Sequence, residues 1–146
     1  GHGVLRRESE LTIEIPAGIQ HGEMVRLTGA GEAIQNGNAG DLYVRIRVAP
    51  HKVFRREGQN LVMNLTVKFT DAILGAEYPI ETLDGKIDLS IPKGVSSGEV
   101  LRVRGKGVPM GAKHRGDLLI RIEVKTPTKL SRQATKLVEE LREEGV

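Results

Sequence analysis

The chain has 146 residues, 38% of them hydrophobic and 28% charged, with no cysteine and a formal net charge of +3. The lack of cysteine excludes a disulfide scaffold, a thiol nucleophile and a cysteine-based zinc site within this sequence, and no apolar run approaches the roughly 18 residues of a membrane span. The sequence opens on Gly1 with no charged-then-apolar leader, so it reads as a soluble, cytoplasmic piece of something longer.

Taken in order, the elements are mostly strands. Residues 11–15 (LTIEI), 24–27 (MVRL) and 42–48 (LYVRIRV) alternate apolar with polar, the period of a half-buried strand. Residues 50–54 (PHKVF) form a short junction. Residues 61–67 predict a further strand, and 70–75 one helical turn with Thr70 as N-cap and Gly75 as stop. Residues 78–83 and 86–89 flank Asp84-Gly85, a two-residue hairpin signal. Alternation returns at 87–91, 100–103 and 118–124. After Pro127, Ser131 can cap a helix over 131–144, with Ala134, Leu137, Val138 and Leu141 at i, i+3, i+4 and i+7 and charges opposite.

An internal repeat organises these elements. Ile15-Pro16-Ala17-Gly18 recurs as Ile91-Pro92-Lys93-Gly94, an offset of 76 residues. The same offset carries Gly22-Glu23 onto Gly98-Glu99, Arg26 onto Arg102, Gly29 and Gly31 onto Gly105 and Gly107, and Gly40-Asp41-Leu42 onto Gly116-Asp117-Leu118. A period this long points to duplicated small domains. Phe54 shifted back by 76 falls before residue 1, so the first copy lacks its opening strand and hairpin and is expected to show an exposed sheet edge and a half-built apolar face. The expected division is 1–50, 51–127 and a tail from 128 to 146.

The residues offer little reactive chemistry. Gly105-Lys106-Gly107 lacks the spacing and the Ser or Thr of a phosphate-binding loop. His2, His21, His51 and His114 show no i, i+4 pair that would suggest a metal. Asp41 and Asp117 precede equivalent strands, where a carboxylate ordinarily hydrogen-bonds a turn. Asn64-Leu65-Thr66 matches a glycosylation sequon by accident. The sequence thus reads as a binding or assembly protein and not an enzyme. The strand faces Leu11, Ile13, Ile15 and Leu42, Val44, Ile46, Val48 are either ordinary core or a groove that takes an extended apolar peptide by strand addition. The tail helix either docks on its own domain or forms a homodimer contact. A basic β module binding nucleic acid is the alternative; its arginines, such as Arg45, Arg47, Arg102 and Arg104, are interleaved with apolar residues rather than clustered.

The segments LTIEIPAGI (11–19), GAGE (29–32), GDLYV (40–44), PHKVF (50–54), LDG (83–85), RGKGVP (104–109) and RGDL (115–118), in collinear order, resemble the C-terminal substrate-binding region of DnaJ-type co-chaperones of the zinc-repeat class. The resemblance implies a mainly all-β fold of two tandem homologous small β-sandwich-like domains, the first truncated at its N-terminal side, plus a C-terminal amphipathic helix. It implies binding of unfolded polypeptide clients, their transfer to a DnaK-type chaperone, a role in protein folding and stress response, and homodimerisation, with no nucleic acid and no membrane as partner. By position, Leu11 and Val44 are similar to groove-lining residues, and Ile13 and Ile46 share their faces. Leu130, Leu137, Val138 and Leu141 are similar to the dimer-forming tail. Gly1-His2-Gly3 resembles the end of the family's last zinc repeat, so no cofactor is expected in this chain and zinc only in a module upstream of it. With no His-Pro-Asp loop, the chain alone is not expected to stimulate the ATPase partner.

Overall fold

The computed structural model describes residues 10–31 and 40–146; the Gly1-His2-Gly3 stretch lies outside them. In chain order the elements are β1 (Met24–Leu27), β2 (Leu42–Arg45), β3 (Arg55–Glu57), β4 (Asn60–Lys68), α1 (Phe69–Leu74), β5 (Ala76–Thr82), β6 (Gly85–Ile91), β7 (Val100–Val103), β8 (Leu118–Lys125) and α2 (Arg132–Glu143). The protein is mainly β, with a C-terminal helix. β1 and β2 form a two-stranded antiparallel sheet, β5 and β6 a hairpin, and the remaining strands a four-stranded sheet ordered β3-β4-β8-β7.

The centre of the larger sheet is a parallel pair. β4 runs beside β8 from Leu61↔Leu118 to Lys68↔Lys125, and the intervening chain crosses over through α1, β5, β6 and β7. Alternation on β8 sends Leu118, Ile120 and Ile122 to one face, where they are fully buried, while Arg121 and Glu123 face water. Met63 and Val67 of β4, Ala72 of α1, Ile80 of β5 and Leu89 and Ile91 of β6 complete the same cluster. Every residue of this core lies between 61 and 122, and none of the described residues from 10 to 50 is buried.

The duplication is visible bond by bond. Met24 faces Arg45 and Leu27 faces Leu42, just as Val100 faces Arg121 and Val103 faces Leu118. The Gly22 and Gly98 N–H groups donate to the Ile46 and Ile122 carbonyls at 2.7 Å in both copies. The Gly31 and Gly107 N–H groups donate to the Gly40 and Gly116 carbonyls. A Cβ on Gly31 or Gly107 would collide with the backbone of Asp41 or Asp117, so both positions require glycine for close approach rather than for a positive φ. Asp41 and Asp117 tie turns, as their spacing suggests. Their Oδ1 atoms accept from Gly29 N–H and Gly105 N–H, and their Oδ2 atoms pair with Arg26 and Arg102.

Four local expectations are corrected. Residues 11–15 form no strand, because they have no strand partner among the described residues. By the repeat, they correspond to β6, whose partner is β5; the equivalent of β5 falls outside the described residues. β2 stops at Arg45, although 42–48 alternates, because β1 offers only four residues to pair with it. α1 begins at Phe69, with Lys68 and not Thr70 as N-cap and no side-chain cap. Its start is fixed from β5 instead: the Tyr78 hydroxyl accepts the Lys68 N–H and donates to the Asp71 carboxylate. That bond to Asp71 holds the Tyr78 hydroxyl above its ordinary range. Finally, the hairpin loop is Leu83-Asp84, with Gly85 (φ +108) already paired to Thr82; Thr82 Oγ1 closes the turn by accepting from Asp84 N–H and donating to the Gly85 carbonyl.

Burial differs between equivalent positions, so mutational cost should differ too. Ile122→Ala is expected to lower the unfolding free energy by about 2–5 kcal/mol, and Ile46→Ala, its half-buried counterpart, by clearly less; urea unfolding of the two variants measures the contrast. Acid should also weaken the fold. The hydrogen bond from Gly105 N–H, with the Arg102 guanidinium beside it, holds the Asp117 carboxyl below its ordinary range. The Arg115 bond, helped by Lys106, does the same to Asp84. A depressed folded value means stability that is present above the unfolded value and lost as pH falls through the folded one. Asp117→Asn is therefore expected to lower the urea midpoint at neutral pH and to flatten its further fall between pH about 5 and about 2.

Candidate functional site

The first repeat carries an open apolar face. Val25 sits opposite Val44 and Leu27 opposite Leu42, so these four side chains share one face of the β1–β2 sheet, and Ile46 extends it. Their counterparts at 118, 120 and 122 are fully buried, whereas Leu42, Val44 and Ile46 are only half-buried. The difference is what covers them. In the second repeat β4 lies along β8, and α1 and the β5–β6 hairpin pack into the same cluster; the first repeat has no such elements among its described residues. Of the residues singled out from the sequence, Val44 and Ile46 therefore sit on this face. Ile13 is half-buried and Leu11 is 52% exposed, and both lie on the segment preceding β1, which pairs with no strand among the described residues.

A second feature lies where the repeats meet. A cleft of about 440 Å³ is walled by Ile19, Val48, Pro50, Phe54, Leu61 and Val108. Arg56 spans the two repeats from β3: Nη1 donates to the Ile19 carbonyl and Nη2 to the Gly18 carbonyl, both at 2.7 Å, while Nε holds the Gly58 carbonyl at 2.8 Å. A planar guanidinium fork suits this, since three donors in fixed geometry meet three main-chain acceptors. Gly18 (φ +82) packs so closely on the Pro109 carbonyl and the Met110 side chain that no Cβ fits there. The connector is braced by histidines. His21 Nδ1 accepts the Val48 N–H at 2.9 Å, and His51 Nδ1 accepts those of Val53 and Phe54 at 3.0 and 3.2 Å.

The tail supplies a third apolar surface. Ser131 caps α2 by accepting the Ala134 N–H, as its sequence position suggests. No residue of α2 is buried. Leu130, Leu137, Val138 and Leu141 are between 38% and 54% exposed, and the last three line a groove of about 270 Å³ with Phe69, Ile73 and Leu74.

No group of three or more potential metal ligands occurs among the described residues. Asp41, Asp84 and Asp117 are engaged by arginines, Lys106 and turn N–H groups. No described helix is long and apolar enough to cross a membrane.

The sequence reading missed the cleft. It treated His21 and His51 only as metal candidates. The one available signal was that the repeat places His21 over Ser97, a position where a hydrogen-bond acceptor is kept while its chemistry changes.

The family model for the DnaJ C terminal domain matches residues 4–127. The chain belongs to this family. The Chaperone protein DnaJ of Maridesulfovibrio salexigens is 47% identical over 142 residues, covering 96% of this chain and 38% of that protein. The Chaperone protein DnaJ of Psychrobacter arcticus is 44% identical over 148 residues, covering 98% and 39%. This DnaJ C-terminal domain chain thus spans less than two fifths of the length of those relatives, and the family match ends before α2 begins.

The Arg56 fork joins the repeats of this DnaJ C-terminal domain chain through two adjacent carbonyls that a point charge cannot reach together. Arg56→Lys is expected to speed amide hydrogen exchange of residues 17–22 while leaving β4 and β8 as protected as before; exchange read by mass spectrometry checks it.

Proposed function

We propose that this chain is the client-binding and dimerisation part of a DnaJ-type co-chaperone. Extended apolar segments of non-native polypeptide occupy the open face of the first repeat, for later transfer to a DnaK-type ATPase chaperone. The observation that carries the reading is the contrast between Leu42, Val44 and Ile46, half-buried, and Leu118, Ile120 and Ile122, fully buried at the same repeat positions. An apolar face of known alternation, open on one side, suits an extended chain whose side chains also alternate. Main-chain pairing along the free edge of β2 adds affinity without demanding a particular sequence. Residues 1–50 form the client-binding unit on this reading, 51–127 a second β unit, and 128–146 the dimer element. Leu130, Leu137, Val138 and Leu141 meet a second copy. Zinc belongs to a module upstream of Gly1.

Charged replacement tests the face. In the intact parent protein, Leu11→Asp and Val44→Asp are each expected to weaken binding of an apolar peptide by about tenfold or more, on the scale of a buried aliphatic side chain lost from an interface. Unchanged affinity removes these residues from the groove. Salt separates this reading from nucleic-acid binding, because a phosphate-driven complex weakens steeply with salt and an apolar one does not. Sedimentation of the chain with and without residues 127–146 tests the tail: the full chain should run at twice its monomer mass and the truncated chain at once.

A further inference from the structure

Met110 reaches across the joint from the second repeat. Its own loop is anchored there: the Met110 N–H donates to the His114 carbonyl at 2.8 Å, Pro109 bridges to Arg115, and the His114 ring bonds Gln59 in the turn between β3 and β4. From that anchor the side chain meets the first repeat at Gly18. A Cβ added to Gly18 would lie 2.8 Å from the Met110 sulfur and 2.5 Å from the Pro109 carbonyl oxygen. At Gly94, the repeat equivalent of Gly18, an added Cβ would meet nothing within 4 Å. The crowding therefore belongs to the joint and not to the turn. Arg56 closes the arrangement, because its Nη2 donates to the Gly18 carbonyl at 2.7 Å and also approaches the Met110 sulfur at 3.8 Å. One nitrogen thus serves a main-chain carbonyl of the first repeat and a thioether of the second.

The three methionines occupy three environments. Met63 is 7% exposed in the core, Met24 is 56% exposed on β1, and Met110 is 36% exposed at the joint. Of the three, Met110 alone combines access to solvent with a contact between the repeats. We propose that Met110 is an oxidation site, where a hydroperoxide converts the thioether to the sulfoxide and loosens the joint between the repeats. In the step with hydrogen peroxide, a sulfur lone pair attacks one peroxide oxygen. The S–O bond forms as the O–O bond breaks, so the sulfur loses two electrons and the peroxide gains them. The proton of the attacked oxygen passes to the departing hydroxide, which leaves as water.

Oxidation acts on both contacts at Gly18. The added oxygen needs room beside a sulfur whose Gly18 side has none for a single carbon. It is also a polar acceptor where the thioether was a weak one, and it competes with the Gly18 carbonyl for Arg56 Nη2. The core of the second repeat is spared, since Met63 is shielded there. The change can be undone, because sulfoxides are reduced back to thioethers by dedicated reductases. This inference is independent of the client-binding reading, as it concerns the joint and not what lies on the open face.

The test treats the whole chain with hydrogen peroxide at neutral pH and locates the sulfoxides by peptide mass spectrometry. Amide hydrogen exchange is read while Met63 remains unoxidised. Met24 and Met110 should both oxidise. Exchange of residues 17–22 should quicken by about tenfold, the scale of one lost hydrogen bond to a charged group, with β4 and β8 as protected as before. Met110→Leu keeps the volume without an oxidisable sulfur, and its exchange should be the same before and after peroxide. Met24→Leu should respond as the parent sequence does. Methionine sulfoxide reductases for both epimers should return the treated chain to its starting rate. Three results overturn the proposal: sulfoxide at Met24 with Met110 left unoxidised, exchange at 17–22 unmoved with Met110 fully oxidised, or an acceleration that persists in Met110→Leu.

Discussion

Parallel pairing of β4 with β8 separates core from surface in this molecule. Both repeats present the same alternating strand after the same Gly-Asp turn, with nearly the same apolar residues. In the second, β4 covers one edge, and the crossover that a parallel pair requires brings α1 and the β5–β6 hairpin over one face. Leu118, Ile120 and Ile122 then lose all contact with water. In the first, Leu42, Val44 and Ile46 remain only partly buried. One strand pattern thus yields a packed interior in one copy and a half-buried apolar face in the other.

Much of this was legible before any coordinates. The offset of 76 residues anticipated the equivalence of β1 with β7 and of β2 with β8, the Gly-Asp turns and the unequal burial, because glycines required by close backbone approach keep their spacing whatever the side chains do. Ser131 and the spacing of Leu137, Val138 and Leu141 located α2, since capping and amphipathicity are local properties. The errors came where a partner decides. Residues 11–15 have the alternation of a strand and no pairing neighbour among the described residues, and β2 ends where β1 ends. The start of α1 is set by Tyr78 from another strand, a contact that local capping rules do not contain. The cleft was illegible for the same reason, because Gly18, Arg56 and Met110 meet only once the chain is folded.

Side chains that bind main chain brace the joint between repeats, beside the apolar walls of the cleft. Arg56 holds carbonyls, and His21 and His51 hold amides. Such contacts fix the path of the backbone without forming a second core, since every residue of the buried cluster lies between 61 and 122. This leaves the relative placement of the repeats dependent on a few polar bonds, while the interior of the second repeat is insulated from changes there.

The turn bonds of the first repeat carry a last consequence. A two-stranded sheet with one face open is ordinarily prone to slippage, because little burial penalises a shift by one residue. Here the strand ends are pinned by polar contacts that burial does not influence: Asp41 with Gly29 and Arg26 at one end, and Gly22 and Glu23 with Ile46 at the other. Sliding β1 along β2 would break all of them at once. The side chains of the open face are therefore presented in constant phase, like fixed markings on a ruler instead of a yielding film.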